Sequence, residues 1–238
     1  MRRHYSAAQV AETADGFAVT LDGKPLRTPG GRALAVGHHP LAVAVAGEWL
    51  AQGDTILPET MPLTQLTATM IDRVVPARAA VSDRVVAYAQ SDLLCYRASE
   101  PDDLVERQQR VWQPLFDWAA ARMGVHLAVT RGVMPISQPA AAVTGLRRVI
   151  DTYDAVRLTV LQSVVAATGS LLLGLAVVEG RLRAGEAFAA SAVDETFQSE
   201  LWGEDSEASR RRNVLRRDVE AAARFLALCA PQPLSPTR

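Results

Sequence analysis

The sequence predicts an α+β fold: a small strand-rich N-terminal domain over 1–76, followed by a larger all-α helical domain over 77–230. Two observations predict it. Short apolar strands and turn signals crowd the chain before residue 40. Beyond Val75-Pro76 the hairpin signals vanish and apolar residues recur at helical spacing. Pro231–Arg238 reads as a loose tail.

The elements follow from local chemistry. Phe17-Ala18-Val19-Thr20-Leu21 reads as a strand that enters Asp22-Gly23, a preferred pair for a tight hairpin, with Pro25-Leu26-Arg27 returning. Thr28-Pro29-Gly30-Gly31 is a second turn, and Arg32–Val36 a third short strand. His39-Pro40 opens a helix to about Gln52, since proline at a helix start lacks only an N–H that is unpaired there anyway. Met61-Pro62 opens another, to about Val74. The helical domain is expected at 78–90, 102–123, 139–151, 153–167, 169–178, 184–202 and 206–229. Asp102-Asp103 sits at the positive end of a helix dipole. Pro114 is expected to kink or restart the helix that carries Trp112 and Trp118. Gly124, Gly180 and Gly203 mark helix ends.

Composition bounds the function. A formal net charge of −1 supplies no global field for nucleic acid or an anionic membrane. Cys95 and Cys229, far apart and outside any metal-like spacing, fit a reducing compartment. The N-terminus is too polar for a secretory signal and too short and acidic for a transit peptide. Leu158–Val178 carries no charge over 21 residues, about the length of a bilayer span. Its Thr, Gln and Ser residues, with Gly169-Ser170 expected to bend or divide it, favour a buried core helix, and a chain without stable membrane insertion.

No catalytic set emerges. His4, His38, His39 and His126 are the four histidines, and adjacent His38-His39 lacks the i, i+4 geometry of a helical zinc site. HExxH, CxxC, GxSxG and P-loop patterns are all absent. The expectation is a non-enzymatic chain with no cofactor and no metal. The arginine run near 210 falls on a helix whose apolar stripe is Leu215, Val219, Ala222, Leu226 and Cys229. Glu207–Arg211 and Glu220–Arg224 are spaced to pair along its solvated side.

The densest feature is Asp194–Glu207, DETFQSELWGEDSE, with six carboxylates and one of four tryptophans. On a helix, Val193, Phe197 and Leu201 share a core face. Ser191, Glu195, Gln198 and Trp202 share the opposite one, with Asp194 at its edge. Asp194, Glu195, Gln198 and Trp202 are therefore candidate partner-binding residues, although Trp202 could instead fold back under Gly203 and pack internally. Glu204, Asp205 and Glu207 are expected to cap the next helix.

Four segments in order carry a resemblance: Leu21–Leu34, Glu48–Asp72, Asp92–Ala119 and Asp194–Asp205. Together they resemble the assembly chaperones of F-type ATP synthase that serve the α subunit of its catalytic head. The resemblance implies a protein that holds unassembled α, preventing its aggregation, until the β subunit replaces it. It implies the same two-domain arrangement, and it places the family's acidic position on Asp194, here aspartate. The family's EW element falls on Glu48-Trp49, where a structural role is expected, Trp49 anchoring the N-terminal helix. Eukaryotic members work in the mitochondrial matrix behind a leader; with none read here, a bacterial cytoplasmic monomer is expected. Two alternatives stay open: a hydrolase pairing Asp194 with Glu204 or Asp205, and an interaction module with another client.

Overall fold

The structure is a computed structural model that describes residues 2–14, 16–132 and 134–230; the expected tail at 231–238 lies outside them. The chain divides into two compact units, Met1–Pro76 with Arg224–Arg238, and Ala77–Ala223. The end of the last helix thus groups with the N-terminal segment, although its periodicity assigns it to the helical block. Phe225 and Cys229 are buried there.

In the first unit, β1 (Ala8–Thr13) pairs antiparallel with β2 (Gly16–Leu21) from Ala8↔Leu21 to Thr13↔Gly16. β3 (Lys24–Pro25) and β4 (Ala35–Val36) both pair antiparallel with β2, β3 at Thr20–Leu21 and β4 at Phe17–Ala18. The Asp22-Gly23 turn has φ of 47° and 79°, the left-handed pair that a tight hairpin requires. β1 was not expected, because in AQVAET only Val10 and Thr13 favour a strand, while both alanines and the glutamate disfavour one. α1 (His39–Leu50) packs on β1 and β2, burying Leu41 and Val45 with Val19. α2 (Pro62–Thr69) follows and passes into a π-helical turn at Met70–Val74.

The second unit is helical apart from the parallel pair β5 (Tyr96–Arg97) and β6 (Thr130–Arg131). Its helices are α3 (Arg78–Ala87), α4 (Asp102–Met123), α5 (Ala140–Asp151), α6 (Ala155–Thr168), α7 (Leu171–Val178), α8 (Ala184–Ser191), α9 (Val193–Trp202) and, up to Ala223, α10 (Ser206–Leu228). The uncharged run divides where expected: Gly169 closes α6 in the left-handed region and Ser170 caps α7. Every residue of α7 is buried. Gly174 lets α6 approach closely, since a Cβ there would lie 2.7 Å from Val165 and 2.9 Å from Leu161.

Two expectations are sharpened. Of the kink or restart expected at Pro114, the restart does not occur: α4 runs on through it. Proline removes one backbone bond, costing about 3 kcal/mol. Burial of Trp112, Leu115, Phe116 and Ala119 offsets that, at about 1.5–3 kcal/mol for each large side chain. The helix expected over 184–202 is two helices, because Ala192 leaves helical geometry (φ −100°, ψ 17°). The Ala190 carbonyl accepts the Trp112 indole N–H at 2.7 Å; in an unbroken helix it would accept from Asp194.

Buried carboxylates fix the remaining ends. Asp92 accepts from Leu94 N–H at 3.0 Å and Leu172 N–H at 2.9 Å, bridging a 3-10 turn to the start of α7. Burial pushes its carboxyl above the usual range despite those bonds. Asp72 accepts from Thr28 Oγ1 and Gly30 N–H, both at 2.8 Å, and so pins the Thr28–Gly31 turn.

Candidate functional site

α9 is held on α4 by contacts that leave its other side free. Phe197 and Val193 are buried, and the Arg107 guanidinium lies 5.3 Å from the Phe197 ring centroid. Arg107 donates to both oxygens of Glu200, at 2.9 and 2.7 Å, and holds that carboxyl below its usual range. One residue on, Gln108 Nε2 donates to Asp194 Oδ1 at 2.7 Å. The residues that orient α9, Arg107 and Gln108, lie 93 and 86 positions away from their partners, and no sequence signal marks them.

The predicted site residues separate into two kinds. Glu195, Gln198 and Trp202 are exposed, as the helical wheel expects. Trp202 is 78% exposed, so it does not fold back under Gly203. Asp194 is half-buried and tied to Gln108. Ser191 is also half-buried, its hydroxyl donating to Phe188 O at 2.8 Å. Leu201, expected in the core, is 57% exposed, and residues 200–208 are exposed throughout. The last turn of α9 therefore projects beyond the surface on which Val193 and Phe197 pack. Leu201 and Trp202 form an apolar tip beside the polar row.

The turn after α9 is latched by Arg212, which donates to Ser199 Oγ at 2.9 Å and to Glu204 at 2.6 Å. Asp205 caps α10, accepting from Glu207 N–H at 3.1 Å and Ala208 N–H at 3.4 Å. Only Asp205 takes the capping role expected of the three acids; Glu204 forms an ion pair and Glu207 stays exposed. Asp194, Glu204 and Asp205 thus have three different partners, an arrangement unlike an acid–base pair sharing a substrate. Along α10, Arg216 pairs with Glu220, and neither Glu207–Arg211 nor Glu220–Arg224 closes among the described residues. Glu220 has turned one step back toward the arginine preceding it in the helix.

Glu48 and Trp49 serve the first unit. Both Glu48 oxygens cap α2: they accept from Leu63 N–H and Thr64 N–H at 2.8 Å and from Thr64 Oγ1 at 2.7 Å. The Trp49 ring lies 5.8 Å from Tyr5, whose hydroxyl donates to Trp49 O at 2.7 Å. His39 opens α1 with its ring 4.9 Å from Phe17. Among the described residues, no group of three or more His, Cys, Asp or Glu side chains is placed to hold a metal ion. No helix among them is long and apolar enough to cross a membrane.

Known proteins resemble this chain in sequence and architecture. A family model described as ATP12 chaperone protein matches residues 2–120. The mitochondrial protein atp12 of Schizosaccharomyces pombe is 22% identical over 223 residues, which is 89% of this chain and 77% of that protein. The crystal structure of Atp12 from Paracoccus denitrificans superposes with a TM-score of 0.89 at 39% identity, covering 96% of this chain and 98% of that one. The Atu1473 protein of Agrobacterium tumefaciens gives 0.90 at 38%, covering 95% and 85%.

Proposed function

This chain belongs to the ATP12 chaperone family, and from that premise we propose that its client is the unassembled α subunit of the F-type ATP synthase catalytic head. The chain is a chaperone and not an enzyme. The observation that carries the client surface is α9: its inner side is clamped to α4, and its outer side presents Glu195, Gln198 and a 78% exposed Trp202. An exposed indole beside polar side chains has the character of an interface anchor.

The physical task fits such a surface. Subunits awaiting assembly expose apolar and charged area that aggregates. A holder that must later be displaced is served by a modest polar interface with a few apolar anchors, and not by an obligate apolar one. Glu195 offers a carboxylate to a client arginine or lysine, which adds specificity more than affinity. The holder works as a monomer.

Light scattering of purified α subunit, with and without this protein, tests the reading. Wild-type protein suppresses aggregation, and the Glu195→Lys, Trp202→Ala double variant does not. Equal aggregation of α in the presence and absence of wild type ends the proposal.

A further inference from the structure

The outward side of α1 is apolar and uncovered. The helix HPLAVAVAGEWL carries one acidic side chain, Glu48, and that carboxylate is used in capping α2. A helix apolar on every side belongs in a core, yet Val43 is 48% and Leu50 53% exposed. Gly47 lies between them at i, i+4, i+7 spacing, and a Cβ on it would meet nothing within 4 Å. The three residues make a shallow groove with a glycine floor. Beside it lies a cleft of about 510 Å³ that reaches from Ala44 and Gly47 to Leu57, itself 45% exposed.

One cation lines that cleft. Arg224 has no carboxylate partner among the described residues, because Glu220 pairs with Arg216. The Gln52 amide in the cleft wall is already engaged: it donates to Glu48 O and Thr60 Oγ1 and accepts from Leu57 N–H. An extended peptide laid here could not draw on the Gln52 amide or the Glu48 carboxylate for its backbone. A helix needs neither, having paired its own backbone groups.

We propose that this face of α1 docks an apolar helix of the client, crossing over Gly47 and directing a carboxylate to Arg224. A glycine between two bulky residues one turn away on either side admits a ridge of a second helix at short axial distance. Covering Arg224 with that helix removes the solvent screening that makes an exposed ion pair weak. The inference rests on the client reading above, and it gives the chaperone a contact on its first unit in addition to α9.

The test is capture of purified, unassembled α subunit by wild type, Gly47→Leu, Arg224→Glu and the pair Val43→Gln, Leu50→Gln, with thermal melts run on each. Gly47→Leu fills the groove and removes a glycine from a helix interior, so the fold is retained. Expected is about a tenfold loss of affinity in Gly47→Leu and in Arg224→Glu at unchanged Tm. Wild-type affinity in Gly47→Leu overturns the proposal. Should that protein not fold, wild-type affinity in the Val43→Gln, Leu50→Gln pair does the same. A wild-type dimer that Gly47→Leu dissociates also overturns it, since a second copy then covers the face. Wild-type protein that captures no α overturns both readings, whereas capture untouched by the α1 variants overturns this one alone.

Discussion

Gln108 and Asp194 meet through a 2.7 Å hydrogen bond, and the Gln108 side chain that donates it is among the most deeply buried polar groups of the helical unit, 1% exposed. Its other amide atom, Oε1, accepts from Ala98 N–H at 2.8 Å. One amide therefore joins the segment after β5, the helix α4 and the proposed client-facing helix α9. The acidic position that the family resemblance marks is thus oriented from within before any partner arrives.

Gln108→Leu fits the volume but leaves the Ala98 N–H and the Asp194 carboxylate without this partner. A loss of about 1–3 kcal/mol is expected, the cost of an unsatisfied buried polar group. Urea denaturation followed by circular dichroism measures it. A variant as stable as wild type would show that the amide is dispensable to α9 placement.

Trp202→Ala separates stability from binding. With its side chain mostly in water, truncation should change unfolding free energy by less than about 0.5 kcal/mol. Affinity for α should fall by about 2 kcal/mol or more, roughly thirtyfold, as for an interface anchor. Interferometry on immobilised α reads the second quantity, and unaltered affinity removes Trp202 from the interface.

Glu48→Ala should do the reverse. Removing three hydrogen bonds at the start of α2 is expected to cost about 1–2 kcal/mol of first-unit stability. Capture of α at low temperature should persist. Glu48→Gln, which keeps one acceptor oxygen, should fall between wild type and alanine in a thermal melt.

Asp92→Asn should destabilise by about 2–3 kcal/mol at neutral pH, since its amide presents an N–H where a second acceptor is needed. The difference depends on pH. Burial raises the folded-state pKa of Asp92, so the folded chain binds the proton more tightly than the unfolded one. The contribution is full below the ordinary carboxylate range and is lost as pH rises through the raised value. The wild-type lead over Asp92→Asn should therefore narrow as pH increases across that window. Urea midpoints of both proteins over a pH series decide it; a lead that widens would contradict the sign.

Helix ends were legible because they depend on neighbours in sequence. Pro40, Pro62, Gly124, Gly169 and Gly203 act on dihedrals within a residue or two. Two features escape local preference for one reason: α4 runs on through Pro114 and Ala192 interrupts α8–α9 because burial and the Trp112 indole outweigh it. The carboxylate clamps were not legible. Glu48, Asp72 and Asp92 bond groups 15, 42 and 80 positions away, and composition says nothing about such reach. On the candidate face the wheel placed Glu195, Gln198 and Trp202 outward correctly. It buried Leu201 wrongly, since periodicity cannot say where the surface beneath a helix stops.

The grouping of Arg224–Arg238 with Met1–Pro76 sets an order of events during synthesis. A ribosome releases the first 76 residues long before the residues that complete their unit exist. The helical unit, Ala77–Ala223, is contiguous and can close while the chain is still being made. The N-terminal unit, including α1, is finished only when the last helix emerges. A chain cut after Ala223 would thus keep α9 within a contiguous unit while its first unit lacked the segment from Arg224.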